Sequence, residues 1–218
     1  MRQFAVIGLG RFGASVATNL YRMGYEVLAI DANEDIVREM ADEVTHAVEA
    51  NATDEDALKS LGIRNFDVVV VSIGQDIQSS ILCCLVLKEL GVKYIVAKAV
   101  NELHGKVLQK VGADRVVFPE RDMGSRVAHN LVAANLLDYI ELAPGYSIVE
   151  VVAKPEFYGK SLQDLGFRAR YGIIITAIKR GKKVVIAPGA EDVIMDGDVL
   201  VAIGEDRQLE KMEHTHNE

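Results

Sequence analysis

The sequence predicts an α/β protein: a Rossmann-like, doubly wound parallel sheet followed by a second, smaller α+β domain. Three observations predict it. Short, wholly apolar runs at residues 4–7, 27–30 and 68–71 alternate with helix-period segments, and runs without polar alternation mark strands buried on both faces. A glycine cluster, Gly8 to Gly13, stands between the first run and the first helical segment. After Ala143-Pro144-Gly145 the pattern changes to alternating strands joined by short turns.

The elements follow in order. Residues 4–7 are a buried parallel strand ending at Gly8. Phe12, Val16 and Leu20, spaced by four, predict a helix that Gly24 ends. Residues 27–30 are the second strand and stop at Asp31. Residues 35–40 are helical and 46–48 a short strand. Thr53-Asp54-Glu55-Asp56 opens a helix with a capping residue and acids in the first turn. The four valines 68–71 are the least ambiguous strand. Ile77, Ile81, Leu85 and Leu90 trace a long helix; 94–97 is a strand, 103–111 a helix and 116–118 a strand. A long crossover helix is expected from Glu120 to about Leu137, with apolar stripes Met123-Val127-Leu131 and Ala128-Val132-Leu136. Two stripes mean either a surface packed on another subunit or the second domain, or a helix buried all round. Strands at 146–153, 173–178, 184–186 and 199–203, a short helix at 161–165, a turn at Arg180-Gly181-Lys182 and a charged closing helix make the second domain. The expected domains are 1–138 and 139–218. The terminal His214-Thr215-His216 is an unanchored end and is not read as a metal site.

Composition narrows the function. The chain has 218 residues, 50% hydrophobic and 26% charged, enough for a sizeable core. Twenty-four basic residues against 32 acidic give a net charge of −8, which argues against nucleic acid as the main partner. The only cysteines, Cys83 and Cys84, are adjacent and read as small apolar helix residues rather than a disulfide framework. No apolar run approaches the roughly 18 residues of a membrane span. The first strand starts almost at Met1, so a cytosolic protein without a signal peptide is expected.

The chemistry gathers around Gly8-Leu9-Gly10-Arg11-Phe12-Gly13, a GxGxxG motif between a buried strand and a helix. Gly8 permits a tight turn, Gly10 lets a pyrophosphate approach the backbone, and Gly13 lets the helix pack close to the sheet. The phosphates then meet the helix N-terminus. Asp31, twenty-one residues beyond Gly10, can accept hydrogen bonds from ribose hydroxyls and would repel a 2′-phosphate, disfavouring NADP. Its competing role is a helix cap. Together these specify an adenosine nucleotide without separating NAD from ATP or ADP. Arg11, inside the loop, leans toward a terminal phosphate; the competing reading leaves it solvated or paired with an acid. Tyr94 and Lys98 are no dehydrogenase pair, because on a strand four residues span roughly 13 Å. Lys98 sits instead at the carboxyl end of a strand, at the edge of the ligand crevice, where His104 and Glu120 are further candidates. No catalytic triad, paired-carboxylate site or Cys/His metal cluster is readable.

Several segments resemble a known family. The glycine segment, Asn51-Ala52-Thr53, residues 62–67, Lys88-Glu89-Leu90, residues 112–115 and residues 119–124 are similar to the cytosolic gating subunits of Ktr/Trk-type bacterial potassium uptake systems, of the KtrA/KtrC kind. These carry an RCK (regulator of conductance of potassium) N-domain. Residues 168–172 and Gly197-Asp198 resemble the RCK C-domain. The resemblance implies nucleotide contacts at Gly8, Gly10, Arg11, Phe12 and Gly13; at Asp31, Ala32 and Asn33 by the ribose; and at Asn51 and Ala52 by the adenine. It adds Ile73, Gly74 and Gln75 after the fourth strand, and Lys98, Ala99, Val100 and His104 after the fifth. Glu120 matches a position near the γ-phosphate and a divalent cation such as Mg²⁺. Val100 stands where a polar residue such as Gln is expected. A second ligand, cyclic di-AMP, is implied at Leu162, Arg168, Ala169, Ile174 and Pro188.

The function so implied is regulatory, not enzymatic. ATP and ADP, and also NAD(H), would set the state of a homodimer-based octameric ring. That ring would dock on a KtrB-like membrane potassium-translocating subunit at the inner face of the cell membrane. The alternatives are an NAD-dependent oxidoreductase, which lacks a catalytic domain here, and an NAD(H)-sensing DNA-binding regulator, for which no helix-turn-helix is readable.

Overall fold

The computed structural model describes residues 2–132 and 136–214. The chain divides into two compact units between Arg121 and Asp122.

The first unit alternates strand and helix: β1 (Gln3–Ile7), α1 (Arg11–Arg22), β2 (Glu26–Asp31), α2 (Glu34–Met40), β3 (His46–Glu49), α3 (Glu55–Ser60), β4 (Val68–Val71), α4 (Ile77–Glu89), β5 (Ile95–Lys98), α5 (Glu102–Val111) and β6 (Arg115–Val117). The six strands form one parallel sheet in the order β3-β2-β1-β4-β5-β6. The order reverses at β1/β4, where open α/β sheets place their ligands. Two cores flank the sheet. One gathers Ile7, Ile30, Val71 and Ile95 with Leu58, Leu87 and Leu108 from the helices. The other packs Val6, Val27 and Ala29 against Ala17 and Met40.

On α1 the tightest contacts belong to small residues. Gly13 and Ala17 are its buried positions, while Val16 and Leu20 are only partly covered. A Cβ on Gly13 would lie 1.9 Å from the Gly8 carbonyl oxygen. The helix therefore rests directly on the turn that starts it. On α4 the two cysteines are fully buried, and burial pushes both thiols up, that of Cys84 to about 12. They are small core residues.

The expected helix from Glu120 to about Leu137 is shorter. Helix α6 covers Pro119–Val132, and β7 (Leu136–Ala143) replaces its end; residues 133–135, which the expectation also covered, lie outside those described. The reason is visible afterwards: residues 136–143 precede Pro144-Gly145, and Gly145 at φ +82° makes the turn that folds β7 onto β8 (Tyr146–Val152). The first stripe, Met123, Val127 and Leu131, is exposed, which overturns the reading of a helix buried all round.

The second unit continues with α7 (Leu162–Leu165), α8 (Phe167–Tyr171), β9 (Ile174–Arg180), β10 (Lys183–Ile186), β11 (Val199–Glu205) and α9 (Asp206–His214). His216 of the terminal histidine pair lies outside the described residues. Its five strands form an antiparallel sheet in the order β10-β9-β11-β8-β7. One face is a core of Val149, Val151, Leu200 and Ala202 under Phe157, Phe167, Leu209 and Met212. Beside it Arg180 holds the fully buried Asp198 through two hydrogen bonds of 2.7 Å.

Candidate functional site

Above the carboxyl ends of β1, β2 and β4 lies a cleft of about 420 Å³. Its floor is Ile7, Gly8 and Gly10; one wall is Asp31, Ala32, Asn33 and Ile36; the loop after β3 brings Ala50, Asn51, Ala52 and Thr53; the loop after β4 brings residues 72–76.

The backbone of the glycine loop is left free for a ligand. Gly8, at φ +87°, makes the turn out of β1. Gly10 is the N-cap of α1, has no side chain to satisfy the first turn, and a Cβ there would meet nothing within 4 Å. The contrast with the neighbouring helices is electrostatic. Helices α2, α3, α4 and α5 are capped by Asn33, Asp54, Asp76 and Asn101, whereas α1 has neither a capping side chain nor an acid in its first turn. Its free N–H groups and positive dipole end are thus available to an anion.

Asp31 takes a role the sequence did not show. One carboxylate oxygen accepts from the Leu9 N–H at 2.6 Å, the other from the Asn33 N–H at 2.9 Å. It fastens the glycine loop to the end of β2. The cap of α2 is Asn33, which accepts from the N–H groups of Asp35 and Ile36, so the competing reading of Asp31 as helix cap gives way to its neighbour. Asn51 likewise accepts from the Thr53 N–H and hydroxyl, which fixes the loop facing Asp31.

Beside the cleft stands a second group. Lys98 Nζ pairs with Glu120 at 2.6 Å and lies 5.9 Å from the centre of the Phe12 ring. That hydrogen bond, with Lys98 and Arg11 nearby, holds the Glu120 carboxyl below the usual carboxylate range. A Cβ on Gly74 would be 3.4 Å from Lys98 Nζ and 3.8 Å from Val100, so Gly74 is the step between cleft and cation group. Beneath Val100 lies His104, 3% exposed; its Nδ1 accepts from the Val100 N–H at 3.4 Å and its Nε2 has no partner. Burial holds its pKa below the usual imidazole value, which favours the neutral ring.

Of the residues expected from the sequence, Gly8, Gly10, Asp31, Ala32, Asn33, Asn51, Ala52, Ile73, Gly74 and Gln75 line the cleft. Arg11, Phe12, Lys98, Val100, His104 and Glu120 do not; they form its flank. Gly13 is a packing residue, and Ala99 is buried in the core. The structure adds Ser72, Asp76 and Ser79 to the lining. The Ser72 hydroxyl is buried without a partner, 3.0 Å from where a Gly13 Cβ would be. Polar residues in the loop closing a buried strand were the available signal for Ser72 and Asp76, and the first turn of the helix that follows for Ser79. In the second unit Leu162 starts α7, Arg168 and Ala169 lie exposed on α8, Ile174 starts β9 and Pro188 follows β10. Among the described residues no three His, Cys, Asp or Glu side chains gather as a metal site.

Comparison with known proteins agrees with this architecture. Residues 4–119 match the TrkA-N domain and residues 146–216 the TrkA-C domain. The chain is 53% identical to the Ktr system potassium uptake protein C of Bacillus subtilis (strain 168) over 212 residues, covering 97% of this chain and 96% of that one. It is 50% identical to protein A of the same system over 213 residues, covering 98% and 96%. Among solved structures, the GsuK RCK domain superposes with a TM-score of 0.70 at 22% identity, and the GsuK channel bound to NAD with 0.69 at 21%. Both cover 100% of this chain, which spans only 48% and 40% of theirs; at this identity the likeness shows the fold. The chain therefore belongs to the family that joins a TrkA-N to a TrkA-C domain, the family of the Ktr potassium uptake proteins.

Proposed function

We propose that this chain is the nucleotide-binding gating subunit of a Ktr-type potassium uptake system. The observation that carries the reading is the full-length likeness to Ktr proteins A and C, at 50–53% identity. An uncapped α1 at the mouth of a 420 Å³ cleft gives that likeness a chemical site. The functional domains of this reading are 1–138, which binds the nucleotide, and 139–218, which regulates.

The nucleotide is ATP or ADP, with NAD(H) as a further ligand. Adenine and ribose enter between Asn51-Ala52 and Asp31, and the phosphates turn toward the start of α1. Arg11 and Lys98 then meet the charge that ATP carries beyond ADP. Glu120 alone is no cation cage. Magnesium, however, is commonly held by one or two carboxylates together with phosphate oxygens, and Glu120 beside a bound triphosphate fits that pattern. When bound, the ion neutralises phosphate charge; Glu120 would exchange Lys98 for it.

Gating follows from differential affinity. ATP and ADP can shift a ring between two shapes only by as much as they bind those shapes unequally. A homodimer-based octamer, docked on a membrane potassium-translocating subunit at the cytoplasmic face, sums eight such differences. No described helix is long and apolar enough to cross a membrane; in this reading the transport path belongs to the partner. Cyclic di-AMP at Leu162, Arg168, Ala169, Ile174 and Pro188 is a second input. The chain performs no catalysis in this reading.

The test is an equilibrium titration with ATP, ADP and NADH, with and without Mg²⁺. Distinct, micromolar or tighter binding of ATP and ADP is expected. NADH binding far tighter than either, with turnover of an added substrate, would replace gating by a redox function.

A further inference from the structure

The walls of the cleft carry a charge pattern that nucleotide binding alone does not explain. Among the described residues its lining contains two ionisable side chains, Asp31 and Asp76, and no lysine, arginine or histidine. The two stand on opposite sides. Asp31 ends β2, Asp76 caps α4 just beyond β4, and β1 runs between those strands.

Neither carboxylate can swing away. Asp31 is fixed by the N–H groups of Leu9 and Asn33. Asp76 accepts from the Ser79 N–H at 3.1 Å and the Ser79 hydroxyl at 2.6 Å. Those bonds hold the Asp76 carboxyl below the usual carboxylate range, so it is ionised at neutral pH. The nearby cations, Arg11 and Lys98, lie outside the lining.

Size makes the pattern matter. A volume of 420 Å³ corresponds to a cube about 7–8 Å on edge. A charge near its middle then lies within about one Debye length of both walls at physiological ionic strength, roughly 8 Å. A phosphate carried on the part of a ligand that enters the cleft meets two fixed negative charges, while the cation just beyond Gly74, Lys98, is itself neutralised by Glu120. The 5′-phosphates escape them by turning out to α1.

We propose that Asp76 is a second specificity-determining residue of this site. With Asp31 it restricts the cleft to adenosine ligands whose ribose hydroxyls are free, and it rejects those bearing a ribose phosphate. Discrimination is thus shared by two walls rather than held by the residue after β2 alone. This inference rests on the nucleotide reading above and names the ligand class of that same site.

The experiment compares ADP with 2′-phospho-ADP in equilibrium titrations of the full-length chain, as wild type, Asp31→Asn, Asp76→Asn and the double variant. Asparagine is itself a good helix cap and keeps an acceptor for the Ser79 N–H. Asp76→Ser repeats the measurement with a different capping residue, should Asp76→Asn not fold. The wild type is expected to favour ADP by at least tenfold. Each single variant narrows that ratio several-fold, Asp76→Asn chiefly by tightening 2′-phospho-ADP and Asp31→Asn with a loss shared by both ligands because it also slackens the loop, and the double variant brings the ratio near one. Added KCl narrows the wild-type ratio as well. A ratio unchanged in Asp76→Asn, with Asp31→Asn alone bringing it near one, overturns the inference and leaves the nucleotide reading standing. Failure of ADP itself to bind the wild type removes the reading and the inference together.

Discussion

Single residues decide whether the glycine loop can exist and whether it can bind, and two glycines separate these questions. Gly13→Ala places a Cβ 1.9 Å from the Gly8 carbonyl oxygen, so the helix or the turn must move. A loss of about 2–3 kcal/mol is expected, with a lowered Tm in thermal melts and weakened nucleotide binding. Gly10→Ala meets nothing within 4 Å and keeps a φ of −64°, so its Tm should stay near that of the wild type. Its methyl group occupies the approach to the α1 N-terminus, and ADP binding should fall at least tenfold. His104 gives a pH signature. Its folded pKa lies below the usual value of about 6.5, so between the two values the unfolded chain binds more protons than the native one. Stability from this group is complete above pH 6.5 and is lost as pH falls toward the folded value. Melting temperature should drop from pH 7 to pH 5.5, and His104→Gln should flatten that slope.

Elements show what the sequence made legible and what it hid. The strands of the parallel sheet declare themselves because burial on both faces leaves no room for polar side chains, as in residues 68–71. The cap within Thr53-Asp54 is also readable, and the structure assigns it to Asp54, whose side chain accepts the N–H groups that the helix start leaves open. Strand β7 was hidden. Leu-Leu-Asp-Tyr-Ile-Glu-Leu-Ala has spacings that fit helix or strand, and only its pairing with β8 chooses. The role of Asp31 as a loop fastener was hidden too, because the Leu9 N–H it accepts is set by the turn, not by side-chain chemistry. Within the antiparallel sheet, Arg180 ties β9 to the turn before β11 by bonds to Asp198 and to the Val193 carbonyl. The Arg180 guanidinium holds the Asp198 carboxyl below the usual range. That contribution is present above about pH 4, the unfolded value, and is lost as pH falls through the lower folded value. Arg180→Ala leaves Asp198 buried without its cation and should destabilise the second unit by about 2–4 kcal/mol, at the low end because Arg180 is partly exposed. Acid and urea unfolding followed in this unit measures it.

At the scale of the molecule, the parallel sheet and the smaller strand-rich second unit followed from patterning and glycine placement, whereas the strand orders and β7 came only with the fold; the family was legible in jointly specific segments. The cleft lining was legible for the backbone-rich positions 8, 10, 31–33, 51–52 and 73–75. The flank of Arg11, Phe12, Lys98 and Glu120 was legible only as separate candidates, because a strand end, a helix start and a glycine loop meet there through the fold alone. Their joint task predicts a selective effect. Arg11→Ala should weaken ATP more than ADP and bring the two affinities together, while AMP binding changes less than threefold. Equal losses for all three nucleotides in calorimetric titrations would mean that Arg11 supports the loop rather than reading the terminal phosphate.

The fastening of Leu9 by Asp31 has an evolutionary reading. The same carboxylate stands beside the ribose wall and keeps the phosphate loop in place. A substitution that altered ligand taste at this position would also slacken the loop that grips every ligand. Descendants seeking a new nucleotide therefore face a fitness valley at Asp31. Drift in specificity should instead begin across the cleft, on the α4 side, where a replacement cap leaves the loop undisturbed.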